Sequence, residues 1–211
     1  MGKVEENKKQ KKDILLKSAF DLFTNKGITK TSISDIVEKA GVAKGTFYLY
    51  FKDKYDLKNK LISHKASQIF MNASHALELT SIDTFEDTIL FLVDHIIDQL
   101  SKDKLLLSFI SKNLSWGVFK TALSSAGMNK DVNFYELYMN LIDEYQITLK
   151  EPEILLFMIV ELVGSTCHDT ILYGEPASII SAKPYILQSV RYIIRAQIDL
   201  SKAAMLDSAL N

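Results

Sequence analysis

The sequence predicts an all-α protein in which an N-terminal three-helix helix-turn-helix domain, residues 1–53, is joined to a larger helical bundle, residues 54–211. Apolar residues recur at helical spacing along nearly the whole chain, and no segment has the strict alternation of a half-buried strand. The 211 residues include only three Pro and eight Gly, which argues against β-sandwich and linker-rich architectures. With 47% hydrophobic residues, the chain can bury a substantial core.

Three helices are predicted in the N-terminal domain. The first covers residues 13–26, where apolar positions recur at helical spacing. The second begins after Ser32, whose hydroxyl forms a variant of the capping box with the acid at Asp35, and it ends at Gly41. The third is projected over residues 44–52, so that a three-residue turn separates it from the second. Two short helices joined in this way form a helix-turn-helix.

Seven longer helices are predicted after this domain. Their bounds are about 54–79, 84–101, 103–114, 116–126, 132–147, 151–173 and 179–205. Residues 154–167 are apolar nearly all round, which predicts a helix buried on several sides. Glu161 interrupts this segment, and a buried carboxylate needs either a protein donor or a cationic ligand as its partner. The longest apolar run, 154–160, is far shorter than the ~20 residues that span a bilayer, so a membrane helix is not expected.

The charges are distributed unevenly along the chain. Residues 1–60 contain 14 Lys and 8 Asp or Glu, a net charge of +6, whereas residues 61–211 contain 11 Lys or Arg and 18 Asp or Glu, a net charge of -7. This asymmetry suggests a polyanionic partner for the N-terminal domain alone. The alternative is that the basic run at residues 8–12 is a solvated, frayed terminus. The single cysteine, Cys167, and the absence of an apolar leader favour a cytoplasmic location.

Residues 40–54, AGVAKGTFYLYFKDK, place four aromatic residues within five positions. On a helix, Phe47 and Phe51 lie together on one side, whereas Tyr48 and the lysines face elsewhere. We expect the two phenylalanines to anchor the third helix in the core, and the opposite face to enter the major groove of DNA. Composition alone leaves open the alternative that all four aromatic residues belong to the core.

Residues 14–57, ILLKSAFDLFTNKGITKTSISDIVEKAGVAKGTFYLYFKDKYDL, resemble the TetR family of bacterial transcriptional regulators. The resemblance implies a homodimer whose N-terminal heads bind a pseudo-palindromic double-stranded DNA operator. It also implies that the helical bodies bind a small-molecule effector and form the dimer interface. By position, the DNA contacts that it implies are Ser32, Ser34, Lys44, Gly45, Thr46, Tyr48, Leu49, Tyr50 and Lys54, the last as a phosphate-binding lysine. Ala43 stands where many members have a capping Ser, and Tyr50 stands where many have His.

An effector pocket in the body is implied by the resemblance as well. Candidate lining residues, chosen by chemistry and helical spacing, are Phe70, Phe91, Phe109, Trp116, Phe119, Tyr138, Met158 and Glu161. Aromatic residues and Met at this spacing are also the ordinary components of a helical core, so both interpretations stay open.

No cofactor, metal site or catalytic group is expected. The four histidines lack the converging ligands that a metal site needs, and AGVAKGT lacks the spacing of a P-loop. The leading hypothesis is a dimeric, sequence-specific DNA-binding transcriptional regulator, a repressor released from its operator by a small apolar or amphipathic ligand. The alternative is a helical-bundle enzyme or small-molecule-binding protein with an incidental helix-turn-helix.

Overall fold

The computed structural model describes residues 3–113, 117 and 134–209, which are almost entirely helical and contain no strand. The helices are α1 (Lys3–Lys26), α2 (Ile33–Ala40), α3 (Lys44–Tyr48), α4 (Lys54–Glu78), α5 (Phe85–Lys102), α6 (Lys104–Asn113), α7 (Phe134–Glu144), α8 (Pro152–Leu172) and α9 (Ile179–Ala209). The predicted all-α class is confirmed. Apart from residue 117, the helix predicted at 116–126 lies outside the described residues.

The chain divides into two compact units, residues 1–64 and residues 65–211. We call the first the head and the second the body. The predicted boundary lies between residues 53 and 54, at the start of α4, whereas the division of contacts falls inside that helix. The first eleven residues of α4 therefore belong to the head.

The head has a small apolar core to which all four of its helices contribute. Its fully buried members are Leu15, Ala19, Ile36, Phe47, Leu57, Leu61 and Ile62. Helix α1 begins ten residues earlier than predicted, at Lys3 rather than at residue 13. Residues 4–11 are exposed and, apart from Val4, polar, so they carry no apolar stripe, but Glu, Lys and Gln are good helix formers and continue the helix into solvent.

The body is organised around α5, which packs against α6, α8 and α9, while α8 also packs against α6 and α9. Helix α5 begins at a Thr84 N-cap, whose hydroxyl accepts a hydrogen bond from the backbone N–H of Asp87 at 3.1 Å. The apolar stripe of this helix is largely buried, through Phe85, Ile89, Leu92, Val93 and Leu100.

Charged residues join α5 to α9 at the surface of the body. Glu86 accepts hydrogen bonds from Arg191 and from Arg195, the latter at 2.6 Å from Nε. The hydrogen bond from Arg195 is the largest of the effects that lower the pKa of Glu86. Lys183 makes a second bridge, at 2.7 Å from Asp94 and 2.5 Å from Asp98. These contacts fix the register of α9 along α5.

Helix α8 is buried on one side only, which corrects the prediction that it is buried on several sides. Leu155, Ile159 and Val163 face the core, whereas Phe157 and Met158 are exposed. Glu161 is exposed too, so the expectation of a buried carboxylate at this position is wrong. The prediction failed because hydropathy records that a surface is apolar and not whether the same chain covers it. Among the described residues, α8 has the length and composition to cross a bilayer, a criterion that core helices of soluble proteins also meet.

Candidate DNA-binding surface and apolar cavity

The start of α2 is fixed by a reciprocal capping box. Ser32 Oγ accepts a hydrogen bond from the backbone N–H of Asp35 at 3.1 Å, and the Asp35 carboxylate accepts one from the backbone N–H of Ser32 at 2.8 Å. Lys26 donates to the same carboxylate at 2.7 Å. The hydrogen bond from Lys26 and those from Ser32 lower the pKa of Asp35 to about 2. The predicted cap is confirmed, and it presents Ser32 and Ser34 on the exposed side of the helix start.

The turn between α2 and α3 is built on Gly41. Its φ of 65° lies in the left-handed region, which glycine adopts without steric cost. The backbone N–H groups of Gly41 and Val42 donate to the carbonyls of Glu38 and Val37, closing the end of α2. Helix α3 then begins after Ala43, which provides no side-chain cap. The geometry of the turn therefore comes from the backbone of the Gly-Val-Ala segment.

Helix α3 separates buried anchors from an exposed face. Phe47 is 0% exposed and the following Phe51 is 1% exposed, and their ring centroids are 5.5 Å apart. Tyr48 and Leu49 are 54% and 78% exposed, although the ring of Tyr48 packs edge-on against Phe47 at 5.4 Å. Lys44 and Gly45 are exposed as well. The helix ends at Tyr48 and not near residue 52, because a turn follows in which the N–H groups of Tyr50 and Phe51 both donate to the carbonyl of Phe47.

The side chain of Lys54 is held inside the head. Its Nζ donates to the carbonyl oxygens of Ile28 and Thr31 at 2.8 Å each, and to that of Thr29 at 3.3 Å. These three acceptors take all the protons of the ammonium group. The ammonium therefore does not project outward in this structure, and a phosphate contact by the Lys54 side chain stays an untested prediction. The ammonium instead ties the start of α4 to the turn between α1 and α2.

The first turn of α4 is capped by two aspartates. Asp53 Oδ1 accepts the backbone N–H groups of Tyr55 and Asp56, both at 2.8 Å. Asp56 accepts the backbone N–H of Lys52 at 2.8 Å and the ammonium of Lys60 at 3.0 Å. Burial opposes ionisation of Asp56, but the hydrogen bonds from Lys52 and Lys60 prevail, and the pKa of this carboxyl is lowered. The arrangement positions the N-terminus of α4 beside the end of the α3 segment.

The body contains a partly open cavity of about 530 Å³. Most of its wall is apolar and comes from α4, α5, α6 and α8, with Ile69, Leu92, Ile96, Leu107 and Ile159 among the lining residues. Small-molecule sites in proteins commonly have volumes of about 300–1,000 Å³ and mostly apolar walls. The cavity therefore has the size and the chemistry of a ligand site.

Polar groups occupy one side of the cavity. Glu161, Ser165, His168 and Asp169 are spaced so that they share one face of α8. His168 Nδ1 lies 2.7 Å from Asp169 Oδ1. Ser111, on α6, also lines the cavity, and its Oγ is buried and has no hydrogen-bond partner among the described residues. The wall thus combines a carboxylate-bearing face with one buried hydroxyl.

The structure places some of the predicted pocket residues at the cavity and others elsewhere. Phe70, Tyr138 and Glu161 line the cavity, with the Tyr138 hydroxyl donating to the carbonyl of Pro152 at 3.0 Å. The remaining candidates within the described residues do not line it: Phe109 is buried in the core, Met158 is exposed, and Phe91 stacks on His95. Trp116 and Phe119 lie outside the described residues. Sequence reasoning missed Ser111, Ser165, His168 and Asp169, although the last three follow Glu161 at helical spacing.

Comparison with known proteins identifies the head. Residues 15–61 match the family model for bacterial regulatory proteins of the tetR family. The match to the TetR family lies within the head and covers less than a quarter of the chain. A curated relative, the uncharacterised HTH-type transcriptional regulator YvdT of Bacillus subtilis (strain 168), is 48% identical over 59 residues, which are 26% of this chain and 30% of that protein. The chain thus spans less than a third of the length of this curated relative.

Solved TetR-like structures resemble the fold over most of the chain. The fatty acid degradation regulator FadR from Bacillus halodurans aligns with a TM-score of 0.62 and 18% identity, over 85% of this chain and 97% of that one. FadR from Bacillus subtilis, solved in complex with stearoyl-CoA, aligns with a TM-score of 0.56 and 18% identity, over 84% and 96% of the two chains. At such identities the likeness extends to the fold, an N-terminal helix-turn-helix joined to a helical body. It does not extend to the ligand.

Proposed function

We propose that the chain is a TetR-type, sequence-specific transcriptional regulator that acts in the cytoplasm. The observation that carries the proposal is the division of α3 into buried Phe47 and Phe51 and exposed Lys44, Tyr48 and Leu49. A five-residue helix has no stability of its own, so the two anchors hold it and leave its outer face available for the major groove. An enzyme would have no use for this face, which disfavours the alternative hypothesis.

Each DNA-facing group has a distinct role in this proposal. Lys44 has no partner among the described residues and is available for a phosphate or a base edge. Tyr48 and Leu49 contact base edges, and exposed Gly45 allows the backbone to approach the duplex closely. Thr46, Tyr50, Ser32 and Ser34 supply further hydroxyl groups to the backbone of the operator. Lys54 contributes through its backbone N–H at the start of α4, where a helix N-terminus favours an anion.

The regulator acts as a homodimer in this proposal. The outward face of α8 carries Ile154, Phe157 and Met158, and α9 exposes Tyr185 and Tyr192. Burial of such apolar surface against a second copy removes it from water, at about 25 cal/mol per Å². Twofold symmetry then requires an operator with two related half-sites, about 34–36 Å apart for successive major grooves on one side of the duplex.

Effector binding in the body cavity releases the repressor from its operator. Helix α4 provides Lys54 to the head and Phe70 to the wall of the cavity, so a single helix contains residues of both sites. A coupling free energy of about 1–3 kcal/mol changes operator affinity roughly 5–150-fold. FadR from Bacillus subtilis, of similar fold, was solved with stearoyl-CoA, which supports a ligand site in the body of this chain too.

Fluorescence anisotropy with the DNA that flanks the gene of this protein tests the proposal. We expect tight, salt-dependent binding that Tyr48→Ala weakens by more than about tenfold. Lys44→Ala should weaken binding and reduce the log–log salt slope by about one if Lys44 contacts a phosphate. Lys102→Ala is the matched control, because Lys102 is an exposed lysine of the body with no described partner.

Two results would overturn the DNA-binding assignment. One is equal operator affinity for the wild type, Tyr48→Ala and Lys44→Ala when circular dichroism confirms that all three are folded. The other is that DNA from the flanking sequence competes for binding no better than random DNA does. Sedimentation of a monomer at micromolar concentration, with or without operator, would refute the dimer.

A further inference from the structure

We infer that the effector is an amphipathic cation, with an apolar body that fills the cavity and a positively charged group that pairs with Glu161. The inference rests on the proposed effector role of the cavity and specifies the chemical class of the molecule. It differs from the anionic acyl-CoA that occupies the structurally similar FadR of Bacillus subtilis.

The charges on the cavity wall carry the argument. Among the described residues that line it, two are carboxylates, Glu161 and Asp169, and none is Lys or Arg. An anionic head group would thus meet like charges without a Lys or Arg to compensate them, whereas a cation would find an acceptor. The body as a whole has a net charge of -7 over residues 61–211, so its long-range field also favours a cation.

The two carboxylates are not equivalent. Asp169 already contacts His168 at 2.7 Å, whereas Glu161 has no partner among the described residues. Glu161 is exposed and also lines the cavity, so it lies at the opening, within reach of a charged head group. Eight residues along α8 separate the two acids by about 12 Å, too far for one ammonium to contact both. Glu161 is therefore the direct contact, and Asp169 adds to the field.

A buried polar atom inside the cavity points independently to a ligand. Ser111 Oγ is buried and has no hydrogen-bond partner among the described residues, although it lines an otherwise apolar wall. Such a hydroxyl is costly to leave unpaired, by about 1–3 kcal/mol. A hydrogen-bonding atom within the ligand's apolar body would remove this cost. The effector is thus a cation whose body is mainly, but not wholly, hydrocarbon.

The test uses three probes of equal chain length and different charge: dodecylammonium, 1-dodecanol and dodecanoate, all below their micelle concentrations. Binding to the full chain is measured by calorimetry or by competition with a fluorescent probe. We expect dodecylammonium to bind about tenfold more tightly than dodecanoate, which corresponds to about 1.4 kcal/mol. Dodecanol should lie between them, because it shares the apolar contacts but carries no charge.

Matched variants identify the origin of this preference. Glu161→Gln keeps the shape of the side chain and should remove most of the preference, whereas Glu144→Gln, an exposed acid away from the cavity wall, should leave it unchanged. Gly164 lines the cavity, and a Cβ added there meets no atom within 4 Å. Gly164→Leu should therefore fill part of the cavity and weaken all three probes without loss of fold.

Different results separate the inference from the function on which it rests. If dodecanoate binds as tightly as dodecylammonium, or if Glu161→Gln behaves like Glu144→Gln, the charge class is wrong while the cavity remains an effector site. If none of the three probes binds, the inference and the effector role of the cavity are both refuted. Operator affinity, measured by anisotropy without any probe, then decides the DNA-binding role separately.

Discussion

Replacement of Lys54 distinguishes a structural clamp from a phosphate contact. In the structure, its ammonium donates two 2.8 Å hydrogen bonds to the part-buried carbonyls of Ile28 and Thr31, and a longer one to Thr29. Hydrogen bonds to a charged group contribute about 1.5–3 kcal/mol each when both partners are shielded. Water can reach the vacated carbonyls in part, so we expect Lys54→Ala to cost about 2 kcal/mol of local stability.

Hydrogen exchange detected by mass spectrometry measures this loss where it occurs. A cost of about 2 kcal/mol corresponds to roughly 30-fold faster exchange in peptides that cover the α1–α2 turn and α2. Exchange in the peptides of α8 should stay unchanged, because the clamp lies within the head. Lys54→Met retains the apolar stem but not the donors, and it should match the alanine variant.

The opposite pattern would refute the clamp. If Lys54→Ala leaves exchange in the head unchanged while operator affinity falls and the log–log salt slope decreases by about one, the side chain binds a phosphate. The internal hydrogen bonds would then have no measurable role in stability.

Three further predictions concern ionisable groups. The pKa of Asp35 is lowered to about 2 in the folded protein against an ordinary 3.8, so the stabilisation by its carboxylate is present above about pH 4 and is lost as the pH falls toward 2. Asp35→Asn should remove this part of the acid dependence of head unfolding. An unchanged pH profile in that variant would contradict the capping role. Glu86→Gln should lower the free energy of unfolding of the body by about 1 kcal/mol in urea titrations, because it weakens the hydrogen bonds from Arg191 and Arg195. Equal urea midpoints for the variant and the wild type would mean that these ion pairs contribute nothing to stability. Burial raises the pKa of the Cys167 thiol to about 11. At pH 8 its reaction with a disulfide reagent should therefore be about a hundredfold slower in the native chain than in urea. Equal rates would mean that the thiol is accessible in the native chain.

The local signals in the sequence predicted most of the head correctly. The capping pair Ser32 and Asp35, the left-handed Gly41 and the spacing of Phe47 and Phe51 all act over fewer than five residues, so the pattern of residue types contains them. The resemblance to the TetR family favoured DNA as the partner of the outer face of α3, a role that composition alone left open.

Contacts between distant residues account for the failures. The acceptors of Lys54 lie 23 to 26 positions earlier in the chain, and nothing in its own neighbourhood indicates that its ammonium turns inward. Helical periodicity identifies the apolar face of a helix but not the element that covers it. For that reason Phe109 was assigned to the cavity when it belongs to the core, and Glu161 was assigned to the interior when it is exposed.

The division of α3 also has an evolutionary consequence. Because Phe47 and Phe51 are the buried anchors of the segment, the outward positions Lys44 and Leu49 can vary with little loss of stability. In the proposed regulator, selection for a new operator can therefore act on those positions one at a time, with each intermediate still folded. Duplicated copies of such a gene can acquire separate targets by a few substitutions on one helical face.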